Sequence, residues 1–413
     1  MLLAIIAVLA AGLAHADIVA DICSLVPREA HSYAQTMAAL QELHQTERVT
    51  CVSLGQSSRG RTIAMAQVCD PDVDPRSLKK LLIIARQHGS EPSGTEATLA
   101  LLRYLATADG VRERGLLRRV ALLVVPMANP DGADSHSRCN ARGADLNRDW
   151  AALSQLETRA IEAAFLDWRP NVVMDLHELP AQSSKPSYQD NFVETIGSAA
   201  TLPACLCSTT GRVSAQLSVW MRRYSFPLNV YYDTPGDDLR LCHRHFGLYH
   251  QVPSYLFESK TGSGRPLRDR AAYHVLGMLV VANQLAYHDG PEPQVMVAAA
   301  PAPAPEEPAK PEDITRVQLA EPVPLGPDDK GIARTMVRAS VEGGEEFCYL
   351  TFELNGTVVA LTNQAPYQYA LDTSHLGAGA QQVAVRCYDG SGRCLAQDSR
   401  TFVVPQPSAT LGE

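Results

Sequence analysis

Through the first two-thirds of the chain, apolar residues come in short unbroken runs, most of them followed by a segment of helical spacing. LKKLLIIAR (78–86) precedes GTEATLALLRYLA (94–106), and VALLVVPM (120–127) precedes LETRAIEAAFLDW (156–168). NVVMDL (171–176) and VPSYLF (252–257) are two more such runs, and RAAYHVLGMLVVANQLAY (270–287) closes the region as a long helix. Runs without polar interruption predict strands covered on both faces, and the segments between them predict the covering helices. The alternation predicts an α/β fold in which helices cover both faces of a mixed sheet.

Beyond that region the period changes from helical to two. In FCYLTFELNGTVVAL, Cys348, Leu350, Phe352 and Leu354 are expected on one face, followed by an Asn355-Gly356 hairpin turn. QQVAVRCYDGSGRC repeats the scheme, so the C-terminal part is expected to be a small all-β sandwich. The segment from Leu350 to Gly392 resembles bacterial immunoglobulin-like domains, and because it carries no cluster of catalytic residue types a binding or spacing role is expected, with a surface or protein partner. Between the two parts lies VAAAPAPAPEEPAKP, whose Ala/Pro alternation cannot pack and favours an extended spacer. The expected organisation is an α/β domain at 17–290, a linker at 291–312, the sandwich at 313–405 and a tail at 406–413.

Residues 1–16 read as a leader: an apolar stretch from Leu2 to Leu13, then Ala14-His15-Ala16 ahead of a mature start near Asp17. The stretch falls short of the ~20 apolar residues of a spanning helix, so a secreted or periplasmic location is expected, with no membrane span after leader removal. A net charge of −9, spread along the chain with no basic tract, excludes nucleic acid as an expected partner. Ten cysteines suit an oxidising compartment. Cys51 with Cys69, and Cys387 with Cys394, each flank a hairpin and are expected as cross-strand disulfides. Cys205 and Cys207 have no second pair nearby and read as disulfide partners rather than a metal site.

The chemistry collects where the apolar runs end. After LLIIAR come His88 and Glu91; after ALLVVPM come Asn129 and Asp131; after NVVMDL come His177 and Glu178; after VPSYLF comes Glu258. Ligands of open α/β sheets bind beyond the carboxyl ends of the strands, so these groups are expected at one edge. His88, Glu91 and His177 form a His₂Glu set suited to Zn²⁺ with an open position, and Glu258 is a base outside that set. A two-His-one-carboxylate iron site is the competing option, but it leaves Glu258 and the nearby arginines without roles. SRCNARGADLNRDW (137–150) supplies Arg138 and Arg148, suited to an oxyanion or a substrate carboxylate, and Arg142, which reads as a solvated loop residue.

Taken in order, five blocks resemble the zinc metallocarboxypeptidases, the funnelin family. They are GQSSRGRTI (55–63), HGSE (88–91), NPDG (129–132) with R-x-N-x-x-G-x-D-L-N-R (138–148), DLHE (175–178) and FGLYHQVPSYLFES (246–259). The resemblance spans residues 47–287. It implies one Zn²⁺ held by His88, Glu91 and His177, with Glu258 as the base that activates water and protonates the leaving amine. It further implies Arg138 at the scissile carbonyl, and Asn147 and Arg148 on the C-terminal carboxylate of a peptide. The family's covering tyrosine has no secure counterpart, Tyr231 and Tyr232 being in the right region. Asp237, Asp238 and Arg240 imply opposite side-chain preferences, and Glu178 is a candidate supporting group. No long propeptide separates leader and domain, so zymogen activation is not expected. Two other functions compete: a zinc amidohydrolase acting on small acyl-amino acids or cell-wall peptides, and a non-catalytic binding protein.

Overall fold

LKKLLIIAR becomes strand β3 (Lys79–Ala85) of the computed structural model, which describes residues 18–108, 110–180, 190–199, 201–233, 235–261, 265–287, 316–325, 332–343, 347–374 and 376–404. The expected leader, linker and tail lie outside these residues. Parallel to β3 run β4 (Val120–Val125) on one side and β5 (Val172–Leu179) on the other, and β8 (Ser254–Lys260) is parallel to β5. The hairpin β1 (Val49–Gln56) and β2 (Thr62–Val68) adds antiparallel to β4, and β6 (Phe192–Ile196) adds antiparallel to β8. β7 (Asn229–Asp233) then lies parallel to β6. The sheet is therefore mixed, in the order β1-β2-β4-β3-β5-β8-β6-β7.

Every residue of β4 and β5 is buried, as strands covered on both faces require. On one face the core joins Leu81, Ile83, Met174 and Phe257 to helices α1 (Tyr33–Leu43), α2 (Ser93–Thr107), α4 (Ala204–Arg223) and α5 (Leu267–Tyr287). On the other, Leu82, Ile84, Val125 and Val173 meet helix α3 (Leu156–Trp168) and Trp150. Cys205 and Cys207 lie on α4, where neighbours two apart do not share a face.

The C-terminal region is β-rich. One sheet holds β10 (Val323–Leu325), β11 (Arg334–Glu342) and β14 (Tyr367–Asp372), with β9 (Arg316–Leu319) also on β11. The other holds β13 (Thr357–Thr362), β12 (Phe347–Leu354), β15 (Gly379–Asp389) and β16 (Cys394–Val404). Asn355 and Gly356 both take positive φ between β12 and β13, the hairpin turn expected of that dipeptide. The expected face is broken, however. An irregularity between Phe347 and Tyr349 turns Cys348 and Tyr349 toward the first domain's core, whereas Phe347, Leu350 and Phe352 face the sandwich core.

All ten cysteines are free thiols, which corrects the two expected cross-strand disulfides. Registers explain why: Cys51 is opposite Ala66, and Cys387 is opposite Ala396 while Cys394 faces Tyr388. Flanking a turn does not by itself place two residues opposite one another.

The two regions are joined through the backbone. β13 pairs antiparallel with β7, so one twelve-stranded sheet runs through both. Beside the seam, the buried Asn363 accepts from the Leu228 amide at 2.8 Å and donates to the carbonyls of Ser218 and Phe226, both at 3.3 Å. Asn363→Ala would orphan the Leu228 N–H, at a cost of about 1–3 kcal/mol. A lowered thermal midpoint is the expected result, and an unchanged midpoint would show that the seam adds nothing to stability.

Candidate active site

β3 ends at Ala85, and the chain then turns sharply through Arg86, at φ 58°. The Arg86 guanidinium is buried and fixes that turn from inside, donating to Gly89 O at 3.0 Å and to His31 O at 3.1 Å. From the other side Asn129 donates to Gln87 O at 3.0 Å while its own side-chain oxygen caps the Gly132 amide at 2.8 Å. Asp131 in turn takes Arg61 Nη1 at 2.8 Å and the Arg59 amide at 3.1 Å, which locks the Ser-Arg-Gly-Arg hairpin onto this loop. These contacts leave His88 and Glu91 little freedom.

His177 comes from β5, where residues two apart share a face and Asp175 therefore stands behind it. His88 Nδ1 lies 2.8 Å from one Glu91 oxygen, and His177 Nδ1 lies 2.9 Å from the other. The two Nδ1 atoms are 3.0 Å apart. Three donor atoms thus face a common point, the arrangement a tetrahedral His₂Glu metal site requires. Two ring nitrogens this close are poor partners for each other, whereas a shared cation satisfies both. Burial alone would raise the Glu91 carboxyl, but His88 and His177 outweigh it and hold the group well below the usual carboxylate range.

Each imidazole is oriented through its other nitrogen. His88 Nε2 meets Asp145 Oδ1 at 3.0 Å. His177 Nε2 meets Asp175 Oδ1 at 2.9 Å and Asn147 Nδ2 at 3.2 Å. Gln87 completes the layer, donating to Asp175 at 2.6 Å and accepting from Trp150 Nε1 at 2.7 Å. Burial opposes the charge on Asp145, yet the hydrogen bond from His88 and the fields of Arg138 and Arg148 keep its carboxyl well below its ordinary value. Partners of this kind typically change metal affinity by ~10–100-fold. Asp145→Asn is expected to weaken zinc binding by about that factor, measured by competition with a chromogenic chelator; unchanged affinity would remove Asp145 from the site.

Glu258 is on β8, in register with His177 on the neighbouring strand. Its Oε2 is buried and has no hydrogen-bond partner. Burial pushes its carboxyl up; His177 opposes this, and Glu91, Glu194 and Asp175 add to it. His177 and Glu258 are therefore on the strands themselves rather than in the loops after them, because their polar ends lie side by side across the β5–β8 pair.

The remaining expected residues divide. Arg138 is half exposed, with Nη2 3.0 Å from Asp145 and Nη1 3.7 Å from Glu91. Asn147 is buried, its side-chain oxygen taking the Cys242 amide at 2.8 Å, and Arg148 is exposed. Arg142 is exposed, as expected of a solvated loop. Tyr231 stacks on Tyr369 at 5.8 Å, and burial raises the hydroxyl of Tyr232 to about 12, so both are packed parts of β7. Asp238 and Arg240 pair with each other at 2.6 Å. Glu178 turns away from the metal point to the Ser93 amide and Arg270, supporting the start of α2.

A family model described as zinc carboxypeptidase agrees with this geometry. It matches residues 33–172 of the chain. That interval contains His88, Glu91, Arg138, Asn147 and Arg148; His177 and Glu258 lie beyond it and join the set through the fold. Among curated proteins, carboxypeptidase 2 of Trichophyton tonsurans is 39% identical over 94 residues, 23% of this chain and 17% of that protein. Human carboxypeptidase D is 32% identical over 146 residues, 32% of this chain and 11% of that protein. The chain thus spans less than a fifth of the curated relatives it matches. A crystal structure of a metallo-carboxypeptidase from Burkholderia cenocepacia shares the fold, with TM-score 0.51, 24% identity, and coverage of 62% of this chain and 69% of its own.

Proposed function

We propose that this chain is an exported, zinc-dependent metallocarboxypeptidase that hydrolyses the C-terminal peptide bond of peptides with a free carboxylate. The observation that carries the reading is the convergence of His88, Glu91 and His177 on one point, with the unpartnered Glu258 carboxylate on the adjacent strand. The zinc carboxypeptidase match over residues 33–172 and the relatives named carboxypeptidase support it. The leader-like residues 1–16 support a secreted or periplasmic location, and among the described residues no helix is long and apolar enough to cross a membrane.

His88, Glu91 and His177 would hold the ion, which when bound supplies the Lewis acidity that amide hydrolysis needs. Glu258 takes a proton from the attacking water and returns it to the leaving amine, a role open to it because its Oε2 is committed to no other group. Arg138, now shared between Asp145 and Glu91, is placed to pair with negative charge developing on the carbonyl oxygen. Arg148, exposed at the rim, receives the substrate carboxylate, and the buried Asn147 beside it is held in place by the Cys242 amide. The β-rich C-terminal region is assigned an immunoglobulin-like sandwich that rides on the catalytic sheet and is available to a surface or protein partner.

The test uses peptides that differ only in a free or amidated C-terminus, with products followed by mass spectrometry. Stepwise loss of single residues from the free-carboxylate peptide alone, abolished by a chelator, is expected. Equal cleavage of both would remove the carboxylate-clamp role of Arg148, and cleavage of neither by zinc-loaded protein would sink the carboxypeptidase reading. Arg148→Met is expected to raise KM about tenfold or more, with kcat less affected, since a lost charged contact is worth ~1.5–3 kcal/mol.

A further inference from the structure

A second His/Glu/His group lies outside the site just described. His245 Nε2 is 3.2 Å from one oxygen of Glu162, and His250 Nε2 is 2.8 Å from the other. The two rings are 4.8 Å apart and nearly perpendicular. Glu162 and His245 are buried, and His250 is half-buried, so one side of the group opens to solvent. The pattern repeats that of His88, Glu91 and His177: one carboxylate with a different imidazole nitrogen on each oxygen.

The backbone has a special form here. His245–Tyr249 is a π-turn, in which the His250 amide bonds to His245 O at 3.1 Å. An α-turn sends residues five apart to different faces, but the wider π-turn lines them up, and such turns recur at functional sites. Gly247 makes the turn possible, because a Cβ there would collide with Ile196 of β6. Glu162 comes from α3.

We propose that Glu162, His245 and His250 form a second metal site, taking a divalent transition ion of the zinc type. Two imidazoles and a carboxylate are the donor set that Zn²⁺ accepts, and the solvent side leaves a position for water. The site ties the π-turn to α3. It is also linked to the first site, since Trp150 packs at a tilt against His245 and edge-on against Phe246 while its Nε1 donates to Gln87.

Metal content of the full chain tests this, after equilibration with zinc chloride and desalting. Two equivalents per chain are expected in the native protein, and one each in His88→Ala, Glu162→Gln and His250→Ala. Glu162→Gln is the decisive variant. Its amide can still bond to both rings, so a purely hydrogen-bonded cluster survives it, whereas a metal site loses its anionic ligand. It is expected to keep peptidase activity. In His88→Ala, added zinc is expected to raise the thermal midpoint, and the additional Glu162→Gln change to abolish that rise. One equivalent in the native chain that vanishes in His88→Ala but persists in Glu162→Gln would overturn the second site and leave the first intact. Two equivalents that both persist in Glu162→Gln would overturn it as well.

Discussion

Glu258→Gln is expected to lower kcat for peptide hydrolysis by roughly 10²–10⁴-fold, the contribution of a positioned general base, without changing zinc content. Glutamine keeps the volume and one acceptor oxygen but cannot take a proton. The strand register makes the substitution clean: Glu258 is beside His177 across β5 and β8 but is not one of the three atoms that face the metal point. Its unpartnered oxygen also means that no structural hydrogen bond is removed with the charge. Zinc content by plasma mass spectrometry and the thermal midpoint are the controls. Activity within tenfold of the native protein, at equal zinc content, would show that the base lies elsewhere.

The sequence was most legible where each strand must be covered on both faces. Short, β-branched, unbroken runs such as VALLVV fit a strand buried on both faces, and LETRAIEAAFLDW is one helix with the bounds its periodicity predicts. The residues of the candidate site were legible for a related reason: several strand ends that carry His or Glu after an apolar run together point to one edge. The layer behind them was harder to see. Asp175 could have been found from the two-residue strand period that puts it on the face of His177, and Asp145 from its place two residues before Asn147. Gln87 and Arg86 gave no signal, because their roles depend on Trp150, Gly89 and His31 arriving from distant parts of the chain. Cross-strand register was the other blind point. One irregularity in β12 moved Cys348 off the expected face, and register separated both expected disulfide pairs.

Gly89→Ala is expected to cost the protein its zinc and at least about 10² in activity, although the residue carries no chemistry. Gly89 lies between His88 and Glu91, and a Cβ added there would fall within the backbone of Gly132 and Ala133. Neither segment can give way cheaply. The first is fixed by Arg86 on Gly89 O, and the second by the Asn129 cap and by Asp131 with Arg61. Overpacking of this kind typically costs ~1–3 kcal/mol, and the strain is relieved only by moving the loop that carries His88 and Glu91, two of the three proposed ligands. A shift of about 1 Å at a reacting centre is enough for a ~10²-fold loss. Gly211→Ala is the control. That glycine is inside α4 with open space around its Cβ position, so alanine is expected to be neutral or to stabilise the helix by up to ~1 kcal/mol. If Gly89→Ala retains zinc through desalting and hydrolyses peptides at the native rate, the loop tolerates displacement. The close approach of the two backbones would then not be what holds His88 and Glu91 in place.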